Sequence, residues 1–125
     1  MDKQKRKNDP LYAMKRRVSG TLYTSIVKRG FKKRSKSYQL LGCSYEEFKL
    51  HIESQFDLTM NWNNYGTVWT YDHICPCSQA QNEKELIKLQ HFTNWRPYKD
   101  NFKKSDLKTL EAEIKCKELL KREWI

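Results

Sequence analysis

The residues best suited to chemistry lie in the segment 71–76, with partners further along the chain. Asp72 offers a carboxylate and His73 an imidazole, and Asn94 and Asn101 add two carboxamides downstream. Carboxylate and amide oxygens are ligands that suit a hard divalent cation. An imidazole has an ordinary pKa of about 6.5, so at neutral pH it is mostly neutral and can accept a proton from water. The combination predicts a metal ion beside a general base.

Two short strands and a helix are predicted to position these residues. The β-branched and aromatic run 66–71 is typical of a strand, and Asp72 and His73 follow at its end. A bend there lets two neighbouring side chains serve one site, although they would leave opposite faces of a regular strand. A second short strand is predicted near Asn94, followed by a turn at Pro97 and then a helix. The predicted fold class is α+β.

The motif residues resemble a known family. They read Trp69-x-x-Asp72-His73-Ile74-x-Pro76, then Phe92-Thr93-Asn94-Trp95-Arg96-Pro97, then Asn101-x-x-Lys104. This pattern is similar to that of the HNH endonucleases, whose active site is a ββα-metal finger. The segment from Leu41 to Gly66 also resembles the leader of phage-type members, so the resemblance covers roughly residues 40 to 106.

The resemblance implies a metal-dependent endonuclease that hydrolyses DNA phosphodiester bonds, by nicking or by cutting both strands. Asp72 and Asn101 would hold one divalent metal ion, and His73 would activate the attacking water. Asn94 would brace the loop that holds this base, and Lys104 would contact a phosphate. The motif ends in Asn101 where the family's name has a second His, and this carbonyl-type donor favours Mg²⁺ or Mn²⁺ over zinc.

Positive charge is concentrated in the first third of the chain. Residues 1–40 hold 13 Lys and Arg against two acids, a net of +11, whereas residues 41–125 have a net charge of −1. Such a distribution is typical of a nucleic-acid-binding segment, so the expected partner is DNA. The residues predicted to contact it are Lys15, Arg16, Arg17, Lys28, Arg29, Lys32, Lys33, Arg34 and Lys36. The alternatives are a solvated basic tail and a membrane-surface helix, for which apolar residues between the basic clusters are few.

The chain is predicted to be one nuclease domain preceded by a basic arm. The predicted divisions are an arm over 1–40, a nuclease domain over 41–125, a core finger over about 66–106 and a C-terminal helix over 105–123. The arm is expected to be disordered at its start and then helical from Pro10, with Gly20 breaking or bending the helix. In the domain, Ser44 and Glu47 form the pattern of a capping box and predict the start of a helix.

The remaining histidines and cysteines leave alternatives open. Cys75 and Cys77 are separated by a single residue, which departs from the Cys-x₂-Cys pairs of structural zinc sites, so we expect no structural zinc. Because no secretory signal is found, we expect the thiols to be reduced. His91 is the rival of His73 and would have a supporting or substrate-contacting role. Arg96 is a further candidate for phosphate contact.

Two other functions are compatible with the sequence. One is a nucleic-acid-binding module that retains the HNH fold without catalysis, and the other is a small zinc-stabilised regulatory protein, suggested by four Cys and three His. No run approaches the roughly 18 apolar residues of a membrane span, so we expect a cytoplasmic protein, in the host cytoplasm if phage-encoded. The motifs encode neither DNA sequence preference nor oligomeric state, because phosphate contacts carry no base information.

Overall fold

The computed structural model describes residues 10–99 and 110–121. Its helices are α1 (Pro10–Val27), α2 (Ser37–Leu41), α3 (Tyr45–Glu53), α4 (Glu83–Lys88) and α5 (Leu110–Lys121), its strands are β1 (Thr70–His73) and β2 (Trp95–Tyr98), and 3₁₀ turns lie at Cys77–Gln79 and Phe92–Asn94. The helices and the two-stranded antiparallel sheet make the fold α+β. Within the two described ranges, no helix combines the length and the apolarity that a membrane crossing requires.

Helix α1 supplies one wall of the core. Four of its apolar residues recur every four positions, which places them on one face of a helix, and these four are buried. They are Met14, Val18, Leu22 and Ile26. These side chains form one cluster with Phe48 of α3, with Trp69 just before β1 and with Trp95 of β2. The predicted break at Gly20 is wrong, since α1 continues through it as one helix, held by its buried face.

Helix α3 begins at the predicted capping box. Ser44 Oγ accepts a hydrogen bond from the Glu47 backbone N–H, and Glu47 Oε1 accepts one from the Ser44 N–H, each at 3.1 Å. These hydrogen bonds lower the pKa of Glu47. The cap directs α3 so that Phe48 and Ile52 are fully buried against the sheet side of the core.

The first strand is shorter and later than predicted. Residues 66–69 form a turn in which the Gly66 N–H donates to the Trp69 carbonyl at 2.8 Å, and Gly66 has a φ of 88°. The predicted strand 66–71 is therefore wrong in its bounds, because this turn uses the backbone groups that a ladder would need. As a result Asp72 and His73 lie within β1 rather than after it.

The predicted turn at Pro97 is also wrong. Pro97 lies within β2, opposite Tyr71 of β1, and Asp72 lies opposite Arg96. A two-stranded sheet leaves the outer edge of each strand without a ladder partner, so a residue that lacks an N–H is tolerated there. The pairing brings Arg96 next to Asp72, which decides the electrostatics of the site.

A disulfide ties α5 to the segment after β1. Cys75 and Cys116, which are 41 positions apart in sequence, are bonded, while Cys43 and Cys77 are free thiols. The expectation of reduced cysteines is therefore wrong for this pair. Leu89 and Leu119 are buried in the same small cluster, so α5 returns to cover the strand end. That return is a non-local contact that cysteine spacing does not reveal.

We expect Cys116→Ser to lower the free energy of unfolding by about 4 kcal/mol, because the disulfide closes a long loop in the unfolded chain. Urea denaturation would measure the change, and a reductant should bring the wild-type protein to the stability of the variant. Cys43→Ser removes a free thiol and is the matched control, for which we expect little change. Equal stability of Cys116→Ser and wild type would contradict the bond's contribution.

Gly42 is the glycine whose missing side chain the fold requires. It follows α2 with a φ of 74°, and an added Cβ would lie 2.9 Å from Cδ2 of His91. We expect Gly42→Ala to lower the free energy of unfolding by about 1–3 kcal/mol through backbone strain and this overlap. Gly20→Ala is the control, since its Cβ meets nothing within 4 Å. Thermal melting should show the first variant destabilised and the second as stable as wild type or more so.

Candidate functional site

A cleft of about 660 Å³ separates the exposed side of α1 from the end of β1. On the β1 side it is lined by Tyr71, Asp72, His73, Pro76, Cys77 and Ser78. On the helix side it is lined by Arg16, Arg17, Gly20, Thr21, Thr24, Ser25, Lys28 and Arg29. The cleft therefore brings the predicted carboxylate and imidazole together with four of the cations predicted to contact DNA. Asp72 is the one acidic residue in its lining.

Asp72 is held by an arginine from the neighbouring strand. Its carboxylate is 4% exposed, and Oδ2 accepts a hydrogen bond from Nε of Arg96 at 3.1 Å. Nη1 of Arg96 also lies 3.3 Å from Oε2 of Glu111 on α5, and its guanidinium covers the ring of Tyr98 at 4.8 Å. Arg96, predicted as a phosphate contact, pairs with Asp72 and Glu111 in the structure, and its contact with phosphate stays a prediction. The chain of ion pairs joins β1, β2 and α5.

His73 is positioned by a residue that the sequence analysis missed. Nε2 of His73 lies 3.2 Å from Oε1 of Gln90, which is fully buried. Nε2 of Gln90 donates to the Leu86 carbonyl at 3.0 Å, and a carbonyl can only accept, so the amide orientation is determined. Oε1 must then receive a proton from Nε2 of His73. This leaves Nδ1 as the nitrogen that can accept a proton from water.

An aromatic ring and a thiol also lie close to His73. Its ring lies 4.6 Å from that of the buried Trp95, measured between centroids. Cys77 Sγ accepts a hydrogen bond from Nε2 of Gln90 at 3.4 Å, so the thiol and the imidazole share one amide. Gln90 gave little signal in the sequence, apart from being a polar residue directly after Leu89, which follows the end of α4.

The thiol of Cys77 is more acidic than an ordinary cysteine. Burial alone would raise its pKa, but the charge of His73, its hydrogen bond and that of Gln90 outweigh burial and lower the pKa from 9.0 to about 7. The other free thiol behaves in the opposite way, since burial, with the charge of Glu47, raises the pKa of Cys43 to about 11.

We expect the two free thiols to differ in their reaction with iodoacetamide, because the thiolate is the reactive form. A lowered pKa means that the Cys77 thiolate forms at lower pH, so its alkylation rate should reach half of its maximum near pH 7. Alkylation of Cys43 should still be rising well above pH 9. Peptide mass spectrometry measures both rates in one sample. Equal midpoints for the two thiols would contradict the proximity of His73.

Asn94 braces the backbone that follows His73. Its side chain is fully buried, and Oδ1 accepts from the Cys75 N–H at 2.8 Å. Nδ2 donates to the carbonyls of Cys75 at 3.1 Å and Leu89 at 2.9 Å. The Asn94 carbonyl accepts from the Ile74 N–H at 2.8 Å. These contacts are those of the bracing position expected from the sequence, and the effect of Asn94 on catalysis stays a prediction.

The other predicted site residues are spread over three places. Lys15 and Lys33 line a second groove on the far side of α1, and the residues that line neither surface are Lys32, Arg34 and Lys36. His91 does not line the cleft. Its Nδ1 lies 2.9 Å from Oγ1 of Thr93, and its ring packs on Gly42. Asn101 and Lys104 lie outside the described residues.

The described side chains fit some metal ions better than others. Within residues 10–99 and 110–121, no three His, Cys, Asp or Glu side chains come together as a ligand set. A Mg²⁺ ion that acts on phosphates needs only one or two protein carboxylates, because water and phosphate oxygens complete its shell. Asp72, in the lining of the cleft, is one such carboxylate, and Arg96 already holds it.

The chain is similar to two uncharacterized proteins of Acanthamoeba polyphaga mimivirus. One is 34% identical over 118 residues, which cover 91% of this chain and 51% of the relative. The other is 33% identical over 97 residues, which cover 76% of this chain and 42% of the relative. The chain thus spans about half the length of the curated relatives it matches. No protein-family model and no solved structure matches it.

Proposed function

We propose that this chain is a metal-dependent HNH endonuclease that hydrolyses the phosphodiester bonds of double-stranded DNA. The observation that carries the proposal is the cleft between α1 and β1, whose lining contains Asp72 and His73 together with four cations. A polyanion that follows the cationic wall would place a phosphate beside the carboxylate and the imidazole. An apolar pocket would select a neutral small molecule. Such a ligand is a poor match for the charged residues that line this cleft.

The local architecture also supports the proposal. Two antiparallel strands carry Asp72 and His73 on the first and Arg96 on the second. In a ββα-metal finger a helix follows the second strand, and the motif residues that correspond to it, Asn101 and Lys104, lie outside the described part of the chain. The similarity to viral proteins is compatible with a viral setting, so the proposed place of action is the host cytoplasm.

In the proposed reaction, the attacking water donates a hydrogen bond to Nδ1 of His73 and then transfers its proton to this nitrogen. Nε2 of His73 is hydrogen-bonded to Gln90 instead. Asn94 holds the backbone after β1 and thereby the direction of the imidazole. Asp72, with Asn101, would hold a divalent cation, which supplies charge neutralisation of the phosphate when bound. The cations of α1 hold the neighbouring phosphates of the strand.

A second candidate function is a nucleic-acid-binding module without catalysis. The observation that favours it is the pairing of Asp72 with Arg96, which already balances the carboxylate charge. Such a module would keep the cationic wall and bind DNA, but it would not cut. The two functions therefore differ in cleavage and agree in binding.

Incubation of supercoiled plasmid with the purified chain tests the proposal. We expect conversion to open-circle or linear DNA in Mg²⁺ or Mn²⁺, and none in excess chelator. Lys28→Gln should weaken DNA binding and reduce the salt dependence by about one phosphate contact. Lys117→Gln, the same change on α5 away from the cleft, is the matched control. Salt-sensitive binding without cleavage under any metal condition would favour the binding module instead.

A further inference from the structure

We propose that α1 enters the major groove of duplex DNA, with the strand to be cut on its Asp72 side and the complementary strand on its Lys33 side. The inference rests on the proposed nuclease function and adds the orientation of the duplex. Helix α1 would then present its outer ridge to base edges while its two flanks contact the two phosphate backbones. This arrangement identifies the segment that contacts bases.

Concave surfaces border α1 on both sides. Opposite the cleft lies a second groove of about 540 Å³, whose lining contains Lys15 and Lys33 and no acidic residue. Arg16 and Gly20 line both surfaces, so they form the ridge between them. At about 100° per residue, Arg17 and Lys15 project to opposite sides of Arg16, which agrees with this division.

Cations are held on both flanks by aromatic rings. The guanidinium of Arg17 lies 4.5 Å from the ring centre of Tyr65 on one flank, and the ammonium of Lys15 lies 5.3 Å from that of Tyr45 on the other. Helix α1 itself contains no acidic residue. Two cationic flanks on either side of this ridge match the two phosphate backbones that border a groove of DNA.

The size of the helix selects the groove. An α-helix with its side chains is about 10–12 Å across. The major groove of B-form DNA is about 12 Å wide, whereas the minor groove is about 6 Å wide, so only the major groove admits α1. With α1 in that groove, the backbone on the cleft side runs past Asp72 and His73.

Gly20 is the residue that the chain's own packing does not explain. It lies in the interior of α1, on the exposed ridge, and an added Cβ would meet nothing within 4 Å. Glycine inside a helix costs stability relative to alanine. A residue without a side chain on the ridge allows base edges to approach α1 closely. This close approach would explain why the position is a glycine.

Duplexes in which one groove is blocked show which groove of DNA the chain occupies. The probe is a duplex in which 5-hydroxymethylcytosines carry glucose, which fills the major groove without changing charge or pairing. Fluorescence anisotropy should show its affinity for the wild-type chain about tenfold or more below that of the unmodified duplex. Saturation of the minor groove with netropsin should lower the affinity far less than the glucose does, and only by the amount that the two positive charges of netropsin cause. Equal binding of the glucosylated duplex, or displacement by netropsin, would overturn the orientation.

Two substitutions at Gly20 test the ridge without disturbing the fold. Gly20→Ala and Gly20→Leu should both keep or raise the melting temperature, since both are good helix formers at an open position. Gly20→Leu should lower affinity for the unmodified duplex about tenfold or more, and Gly20→Ala should lower it less. Wild-type affinity in Gly20→Leu would overturn the role of the ridge.

The outcomes separate this inference from the function on which it rests. If the wild-type chain cuts unmodified plasmid but binds glucosylated DNA equally well, the nuclease stands and the major-groove orientation is wrong. If the wild-type chain neither binds nor cuts unmodified DNA, the proposed function fails and the orientation fails with it. Loss of binding on glucosylation together with cleavage of unmodified DNA supports both.

Discussion

His73→Ala is expected to lower the rate of DNA cleavage by about 10²–10⁴-fold, the usual contribution of a positioned general base. DNA affinity should change little, because the cations of α1 and not His73 hold the phosphates. Single-turnover cleavage of a labelled duplex with saturating enzyme measures the chemical step, and anisotropy with the same duplex measures binding. The two readouts separate loss of the base from loss of the substrate.

His51→Gln is the control for this experiment. His51 is also half-buried, and its Nε2 lies 3.1 Å from the Trp95 carbonyl, but it does not line the cleft. We expect a less stable protein that cuts at the wild-type rate when folded. Wild-type cleavage by His73→Ala would show that another group is the base.

Asn94→Asp is expected to lower the free energy of unfolding by about 3 kcal/mol, although the side chain hardly changes in size. The change removes both Nδ2 hydrogen bonds, to the carbonyls of Cys75 and Leu89, and brings a carboxylate oxygen against a carbonyl. Each buried polar group left without a partner costs about 1–3 kcal/mol. Cleavage should also fall at temperatures where the variant is folded, because the backbone after His73 loses its brace.

Asn63→Asp makes the same exchange at an exposed position and controls for the added charge. We expect its stability to stay within about 0.5 kcal/mol of wild type. Urea denaturation of the three proteins measures the difference. If Asn94→Asp were as stable as Asn63→Asp, the buried hydrogen bonds of Asn94 would not hold the strand end.

Local patterns in the sequence predicted local structure well. The helix expected from Pro10 is α1, and Ser44 with Glu47 predicted the start of α3, because both signals lie within a single segment of the chain. The break at Gly20 was wrong because the buried face of α1 outweighs the low helix propensity of a single glycine.

Features that depend on distant contacts were not predictable. The bounds of β1 depend on the turn at Gly66, and the position of Pro97 depends on its pairing with Tyr71. The disulfide requires α5 to return to Cys75 across 41 positions. Gln90 carries no motif at all, and its role becomes visible only when its amide is found between Leu86 and His73.

The candidate site was predicted in part for the same reason. Asp72, His73 and Asn94 belong to a compact motif, whereas the approach of α1 to the cleft depends on core packing. The charge count predicted a basic segment but not that Arg17 and Lys28 would share a cleft with His73. The ion pair between Arg96 and Asp72 could not be predicted either, because it depends on the pairing of the two strands.

Cleavage of a defined duplex in oxygen-18 water tests the central claim most directly, since the claim is that His73 activates a water molecule to hydrolyse a phosphodiester bond. Mass spectrometry of the product ends reports the origin of the new oxygen. We predict wild-type products whose terminal phosphate carries one oxygen-18 atom, formed only with a divalent metal ion and not by His73→Ala. Absence of products, products without the label, or labelled products from His73→Ala at the wild-type rate would contradict the account.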